Sequence, residues 1–200
     1  MPANFPDIPR TRSGFKVQPA TRLVRSPYNQ VEEVWEEPGD MWQARLAFSF
    51  LTKAEARELR GALTALRGQV GTLFIHDTAH SNEGSWNGTP VVDGVDEYGV
   101  VLNARGFAAS QTVAKRGDRF QLNNRLHELT EDAVTDSTGR VRLQFQPEIK
   151  TIPNDGDFII SNMPKGLFRL ANPSQIPDWS GSKAGVRNVQ LEFVEALSEV

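Results

Sequence analysis

Three neighbouring residues have side chains that could act together chemically: His76, Asp77 and His80. Two imidazoles and a carboxylate are zinc-type donors, and Asp93 or Asp96 could add a fourth ligand. The same group is the only basis for a hydrolase. However, His-Asp-x-x-His falls where an apolar strand runs out into a polar loop, with no helix to fix the side-chain directions. Ordinary loop residues are expected there, and no metal or cofactor. Ser13-Gly-Phe-Lys16 has the Ser-x-x-Lys spacing of penicillin-binding enzymes but lacks the helix start and the companion Ser-Asp-Asn and Lys-Thr-Gly elements. Glu32/Glu33 and Glu36/Glu37 are adjacent along a strand, so they face opposite sides and cannot flank one glycosidic bond. His127 lies in a β segment and reads as a satisfied or exposed imidazole. Without a Gly-x-Ser-x-Gly, Walker or Gly-x-Gly-x-x-Gly motif, no catalytic residue is assigned and no enzyme is expected.

Charge is more informative. Residues 10 to 25 hold Arg10, Arg12, Lys16, Arg22 and Arg25 without an acid, and residues 32 to 40 hold Glu32, Glu33, Glu36, Glu37 and Asp40 without a base. These are either two solvated edges or complementary edges that meet between subunits of a ring. Over the whole chain of 200 residues the net charge is -3, so nucleic acid is not expected as the main ligand. A hydrophobic content of 38% and a charged content of 24% are globular values. The absence of cysteine excludes thiol catalysis and disulfides. No stretch approaches the roughly 20 apolar residues of a membrane span, and no secretory signal is expected at the start.

The elements that would position these residues follow from periodicity. Residues 1 to 13, with three prolines, read as an extended arm. Thr21–Arg25 and Gln30–Trp35 are short strands around Pro27-Tyr-Asn29, and Pro38-Gly-Asp40 makes the next turn. Trp42, Ala44, Leu46, Phe48 and Phe50 then alternate onto one face of a strand. Thr52 and Glu55 form a capping box that opens a helix with an Ala56, Leu59, Leu63, Leu66 stripe. Gly61 within it would mark a close packing contact, and Gly68 ends it. Thr72–His76 is an apolar strand, and Asp77–Pro90 a long polar loop. Beyond it come short strands at about 8–12-residue spacing, the signature of a small sandwich or barrel: Tyr98–Leu102, Arg119–Leu122, Leu126–Leu129, Ala133–Val134, Val141–Phe145 and Phe158–Ile160. Clean alternation resumes only at Asn188–Val194. The expected fold is mainly β: a β-sandwich with one packed helix over 1–84 and 166–200, and an inserted β-barrel or β-sandwich over 85–165.

Phe48-Ser-Phe-Leu-Thr-Lys-Ala-Glu-Ala56, Ala62-Leu-Thr-Ala-Leu-Arg-Gly-Gln-Val-Gly71 and Leu73-Phe-Ile-His-Asp77 resemble, in that order, tail-tip proteins of long-tailed bacteriophages. So do Gly117-Asp-Arg-Phe120, His127-Glu-Leu129, Asp136-Ser-Thr-Gly139, Leu143-Gln-Phe-Gln-Pro147, Asp155-Gly156 and Gly166-Leu-Phe-Arg-Leu170. In length and layout the chain is most similar to the distal tail protein family. That resemblance implies a homo-hexameric ring joining the tail tube protein to the tail-tip hub protein or baseplate. It also implies a galectin-like or oligonucleotide-binding-type insert, and a place in the virion after assembly in the host cytoplasm. Subunit contacts would then use Arg10, Arg12, Arg22, Arg25, Glu32, Glu33, Glu36, Glu37 and Trp42.

The insert leaves alternatives open. Phe107, Phe120, Phe145 and Phe158, beside Lys115, Arg116, Arg119, Arg125, Arg140 and Arg142, could stack nucleic-acid bases, or the phenylalanines fill a barrel whose acids cancel the charge. Trp86 in the polar loop could be a sugar platform, which makes a carbohydrate-binding tail module the competing function.

Overall fold

A computed structural model of the protein describes residues 2–37, 39–177, 179 and 185–197. The chain starts with β1 (Ala3–Asn4), β2 (Arg12–Gln18), β3 (Thr21–Arg25), β4 (Glu32–Glu36), β5 (Met41–Leu51), α1 (Lys53–Ala65) and β6 (Leu73–His76). The middle holds β7 (Gly88–Val92), β8 (Gly99–Phe107), β9 (Thr112–Ala114), β10 (Arg119–Leu122), β11 (Arg125–Leu129), β12 (Ala133–Val134), β13 (Val141–Ile149) and β14 (Ile159–Ile160), and the chain returns through β15 (Lys165–Leu170) and β16 (Val186–Glu195). The expected turn at Pro38 lies outside the described residues.

The chain is mainly β, a sandwich with one helix. One six-stranded sheet runs β1-β6-β15-β16-β5-β2 and a second β14-β10-β11-β13-β8-β7. A bridge between Val91 and Phe158, with the Val92 N–H donating to Asp157 O at 2.9 Å, brings β7 beside β14 and nearly closes the second sheet into a small barrel. Its core includes Phe107, Phe120 and Phe145, so three of the four phenylalanines fill the barrel. Phe158 departs from that expectation and stays exposed just before β14.

In the first sheet the alternation of β5 places Trp42, Ala44, Leu46 and Phe48 inward, where Leu191 and Val189 of β16 oppose Leu46 and Phe48. Phe50 departs from the expected pattern: the strand is already turning into the helix, Leu51 takes the buried place, and Phe50 remains exposed. Thr52 caps α1 with the full capping box, and Ala56, Leu59 and Leu63 join the sheet's core. Gly71 is required after the helix, because a Cβ there would lie 2.9 Å from the Leu66 Cα. Gly61 corrects the expectation of a close contact: nothing lies within 4 Å of where its Cβ would be. The strands β1, β2, β7, β9 and β15 were not read from the sequence. β2, for example, alternates only weakly because an edge strand leaves Phe15 and Val17 half-buried.

The two sheets are joined through buried polar contacts. Arg125 of β11 forms a bidentate pair with Glu195 of β16, at 3.0 and 3.1 Å, and donates to Asp40 O at 2.6 Å and Glu148 O at 2.8 Å. Glu195 also accepts the Trp42 N–H at 3.0 Å, and the indole Nε1–H of Trp42 donates to Leu126 O at 2.7 Å. Trp42, an expected subunit-contact residue, is therefore only 1% exposed and serves this junction inside the chain.

Two stability outcomes follow. Gly61→Ala, at an exposed helix position with free space, raises stability by up to about 1 kcal/mol in urea unfolding. Arg125→Ala strands a buried carboxylate and costs about 3–5 kcal/mol, and combining Arg125→Met with Glu195→Leu recovers a large part of that loss.

Candidate functional site

Five of the expected contact residues converge on one element, and Glu37 directly follows it. β3 and β4 form an isolated antiparallel hairpin, pairing Thr21 with Glu36, Arg22 with Trp35, Leu23 with Val34, Val24 with Glu33 and Arg25 with Glu32. Its turn is local chemistry: the Ser26 N–H donates to Val31 O at 2.9 Å, the Val31 N–H donates to Asn29 Oδ1 at 3.2 Å, and Gln30 takes a φ of 60°. At its base the Ala20 N–H donates to Asp40 Oδ1 at 2.7 Å and the Glu37 N–H to Ala20 O at 2.9 Å. Among the described residues neither strand packs against another strand or helix beyond marginal contact.

Both faces of this hairpin therefore meet solvent. Strand alternation puts Leu23 and Val34 on one face, with Val34 67% exposed, and Val24 and Trp35 on the other, with Trp35 56% exposed. Tyr28 projects from the tip, 96% exposed. A lone two-stranded hairpin is marginal in water, and grouped exposed apolar side chains mark a contact surface. Beside it, β2 is an edge strand of the first sheet with no partner on its outer side among the described residues.

The structure redistributes the charges. Arg25 and Glu32 form an ion pair within the hairpin, so part of the expected acid–base complementarity is satisfied inside one chain. Glu33 and Glu37 are exposed and make no ion pair with a described residue. Arg22 and Arg12 are exposed, on β3 and β2. Arg10 is tied inward: it donates to His76 O at 2.6 Å and lies 5.0 Å from the Phe5 ring centre.

The remaining chemical candidates are occupied or separated. Asp77 pairs with Arg119 at 2.8 Å; burial works to raise its pKa, but the hydrogen bonds from Ala79 and Arg119 prevail and hold it below the ordinary carboxylate value. Burial, then Arg10 and Lys165, lower the pKa of His76, and His80 hydrogen-bonds Asn82 at 3.1 Å. These residues line a cleft of about 420 Å³ with Arg119 and Met163, and among the described residues no three His, Asp or Glu side chains are grouped to hold a metal. Ser13 and Lys16 sit three apart on β2, on opposite faces.

Trp86, the expected sugar platform, is corrected as well. It is buried against Phe107 and Phe120, and its Nε1–H donates to the buried Asp118 at 3.0 Å. Asp118 also accepts the N–H groups of Glu83, Gly84 and Lys115, so the polar loop is pinned to the barrel. The signal for this was a tryptophan followed by an acidic turn at Gly117-Asp118. The basic residues of the barrel are mostly engaged too: Arg119 with Glu128, Arg125 with Glu195, and Arg140 with Asp93.

No protein-family model matches the chain, and no curated protein matches it in sequence.

His127 gives a pH dependence. It is buried between Phe120 and Phe145, and its Nδ1–H donates to Pro147 O at 2.8 Å. Burial, then Arg125, push its pKa down from 6.5 to about 3. The unfolded chain thus binds the extra proton first. This group's contribution is constant above pH 6.5 and is lost as pH falls toward about 3, at up to about 1.4 kcal/mol per pH unit. Urea midpoints measured across that window should show the slope, and His127→Phe should flatten it.

Proposed function

We propose that the protein is a non-enzymatic structural part of a phage tail, a distal-tail-type ring of six copies that joins the tail tube to the tip hub. The observation that carries this reading is the β3–β4 hairpin, whose apolar residues on both faces are exposed and whose strands pack on no other element of substance among the described residues. A hairpin that makes so little contact with the described residues of its own chain gains order from a neighbour, and head-to-tail docking on a further copy closes a ring where the rotation between copies closes. The open edge of β2 next to it supports the same reading, because ring closure shields edges that a monomer leaves exposed. Six copies, the tube and hub partners, and a virion location come from the resemblance of the ordered motifs between Phe48 and Leu170. The buried Trp86 takes away the feature that favoured a carbohydrate-binding module.

The test is the mass of the purified protein by light scattering, with negative-stain images of the same sample. The wild-type chain should give a particle near six times 22.2 kDa with a central hole. The triple variant Leu23→Ser, Val34→Ser, Trp35→Ser alters only exposed side chains, and should stay folded but monomeric. A wild-type chain that remains monomeric at the highest attainable concentration overturns the ring.

A further inference from the structure

One surface beside α1 is complementary to the hairpin. Lys53, Arg57 and Arg60 recur along α1 at four- and three-residue spacing and are exposed on one stripe. None of them forms an ion pair with a described residue. Glu55 is taken up by the capping box, and Glu58 lies about 100° round the helix from Arg57. The stripe borders a cavity of about 270 Å³ whose other walls are Ala56, Trp179, Gly185 and Val186. The surface is a groove, basic along one rim and apolar within.

The hairpin carries the matching pattern. Strand alternation places Glu33 and Trp35 on one face, and Glu37 continues it because its N–H extends the ladder to Ala20 O. An exposed indole therefore sits between two carboxylates that form no ion pair with a described residue, with the exposed Arg22 directly across from it on β3, so this face carries two acids and one base. Glu33 and Glu37 are separated by about 13 Å of strand, and Lys53 and Arg60 by about 10 Å of helix.

We propose that the Glu33–Trp35–Glu37 face of one copy docks on the Lys53–Arg57–Arg60 groove of the next, with the Trp35 ring in the cavity and the carboxylates along the basic rim. This rests on the ring reading and names the surface that receives the hairpin. The contact joins two different patches, so it is head-to-tail, the kind that makes a cyclic ring when the rotation between copies closes. It also replaces the expected pairing of residues 10–25 with 32–40, since Arg25 is already engaged by Glu32 of its own hairpin.

Charge exchange tests it. Arg57→Glu with Arg60→Glu, and separately Glu33→Arg with Glu37→Arg, should each raise the concentration at which rings form by about tenfold or more. Thermal unfolding of the separated monomers should be unchanged, because all four side chains are exposed. Joining the four changes in one chain should restore ring formation. If the wild type forms rings and either pair of reversals leaves assembly as it was, or if the fourfold variant stays monomeric while folded, the docking contact is wrong and the ring reading stands. If the wild type never assembles, both fall.

Discussion

The arrangement of this protein depends on one buried ion pair. Arg125 and Glu195 are 70 residues apart in sequence, on different sheets, and both are nearly withdrawn from water. Such a pair is costly to bury, and the cost is offset only when the remaining donors and acceptors are satisfied. Here they are: the guanidinium also reaches two backbone carbonyls, and the carboxylate also accepts the Trp42 N–H. Burial alone would raise the Glu195 pKa, which is the direction found, with Arg125 opposing it. Arg119 adds a second tie, 4.9 Å from the Trp42 ring centre and paired with Asp77 just after β6. The junction thus specifies how the barrel sits on the sheet, which an apolar contact alone would leave free to slide.

That rigidity bears on the hairpin. β3 and β4 emerge between β2 and β5, and both of those strands are held in the sheet that the junction braces. The base of the hairpin is clamped by Asp40, whose own carbonyl accepts from Arg125. One short chain of hydrogen bonds therefore runs from the buried ion pair to the root of the exposed arm. On the proposed ring reading, this sets the angle at which the arm leaves its own subunit, and a ring closes only if that angle is reproduced in every copy.

Much of this was legible in the sequence, for reasons that differ by element. Trp42–Phe48 and the capped helix were readable because one face of each is buried by the same core, so period and burial agree. The hairpin was readable from its turn chemistry and from its sorted charges. The β2, β7 and β9 strands were not, since short or edge strands bury too little side chain to impose alternation. Trp42 and Trp86 were placed at surfaces on different grounds, Trp42 because its apolar strand could serve a subunit contact as well as a core and Trp86 because its loop is polar, yet each has its N–H satisfied from within, by Leu126 O and by Asp118. Those partners lie 84 and 32 residues away, a distance local reading does not span. Gly61 failed differently, since a glycine in a helix can mark either a tight contact or none, and only geometry distinguishes them.

The energetics of the hairpin bear on the proposed docking arm. Holding a residue's backbone in one conformation costs about 1–2 kcal/mol, and every residue of both strands bears that cost. Against it stand ladder hydrogen bonds that contribute about 1 kcal/mol each in water and one exposed ion pair worth about 0–1 kcal/mol. Elsewhere in the chain the shortfall is met by burying side chains, but here Leu23, Val24, Val34 and Trp35 remain in solvent. The missing term is the burial of those four side chains. On the proposed ring reading, a partner surface that takes up Trp35 on one face or Leu23 and Val34 on the other would supply it, and Glu33 and Glu37, outnumbering Arg22 on the Trp35 face, would favour a basic surface there.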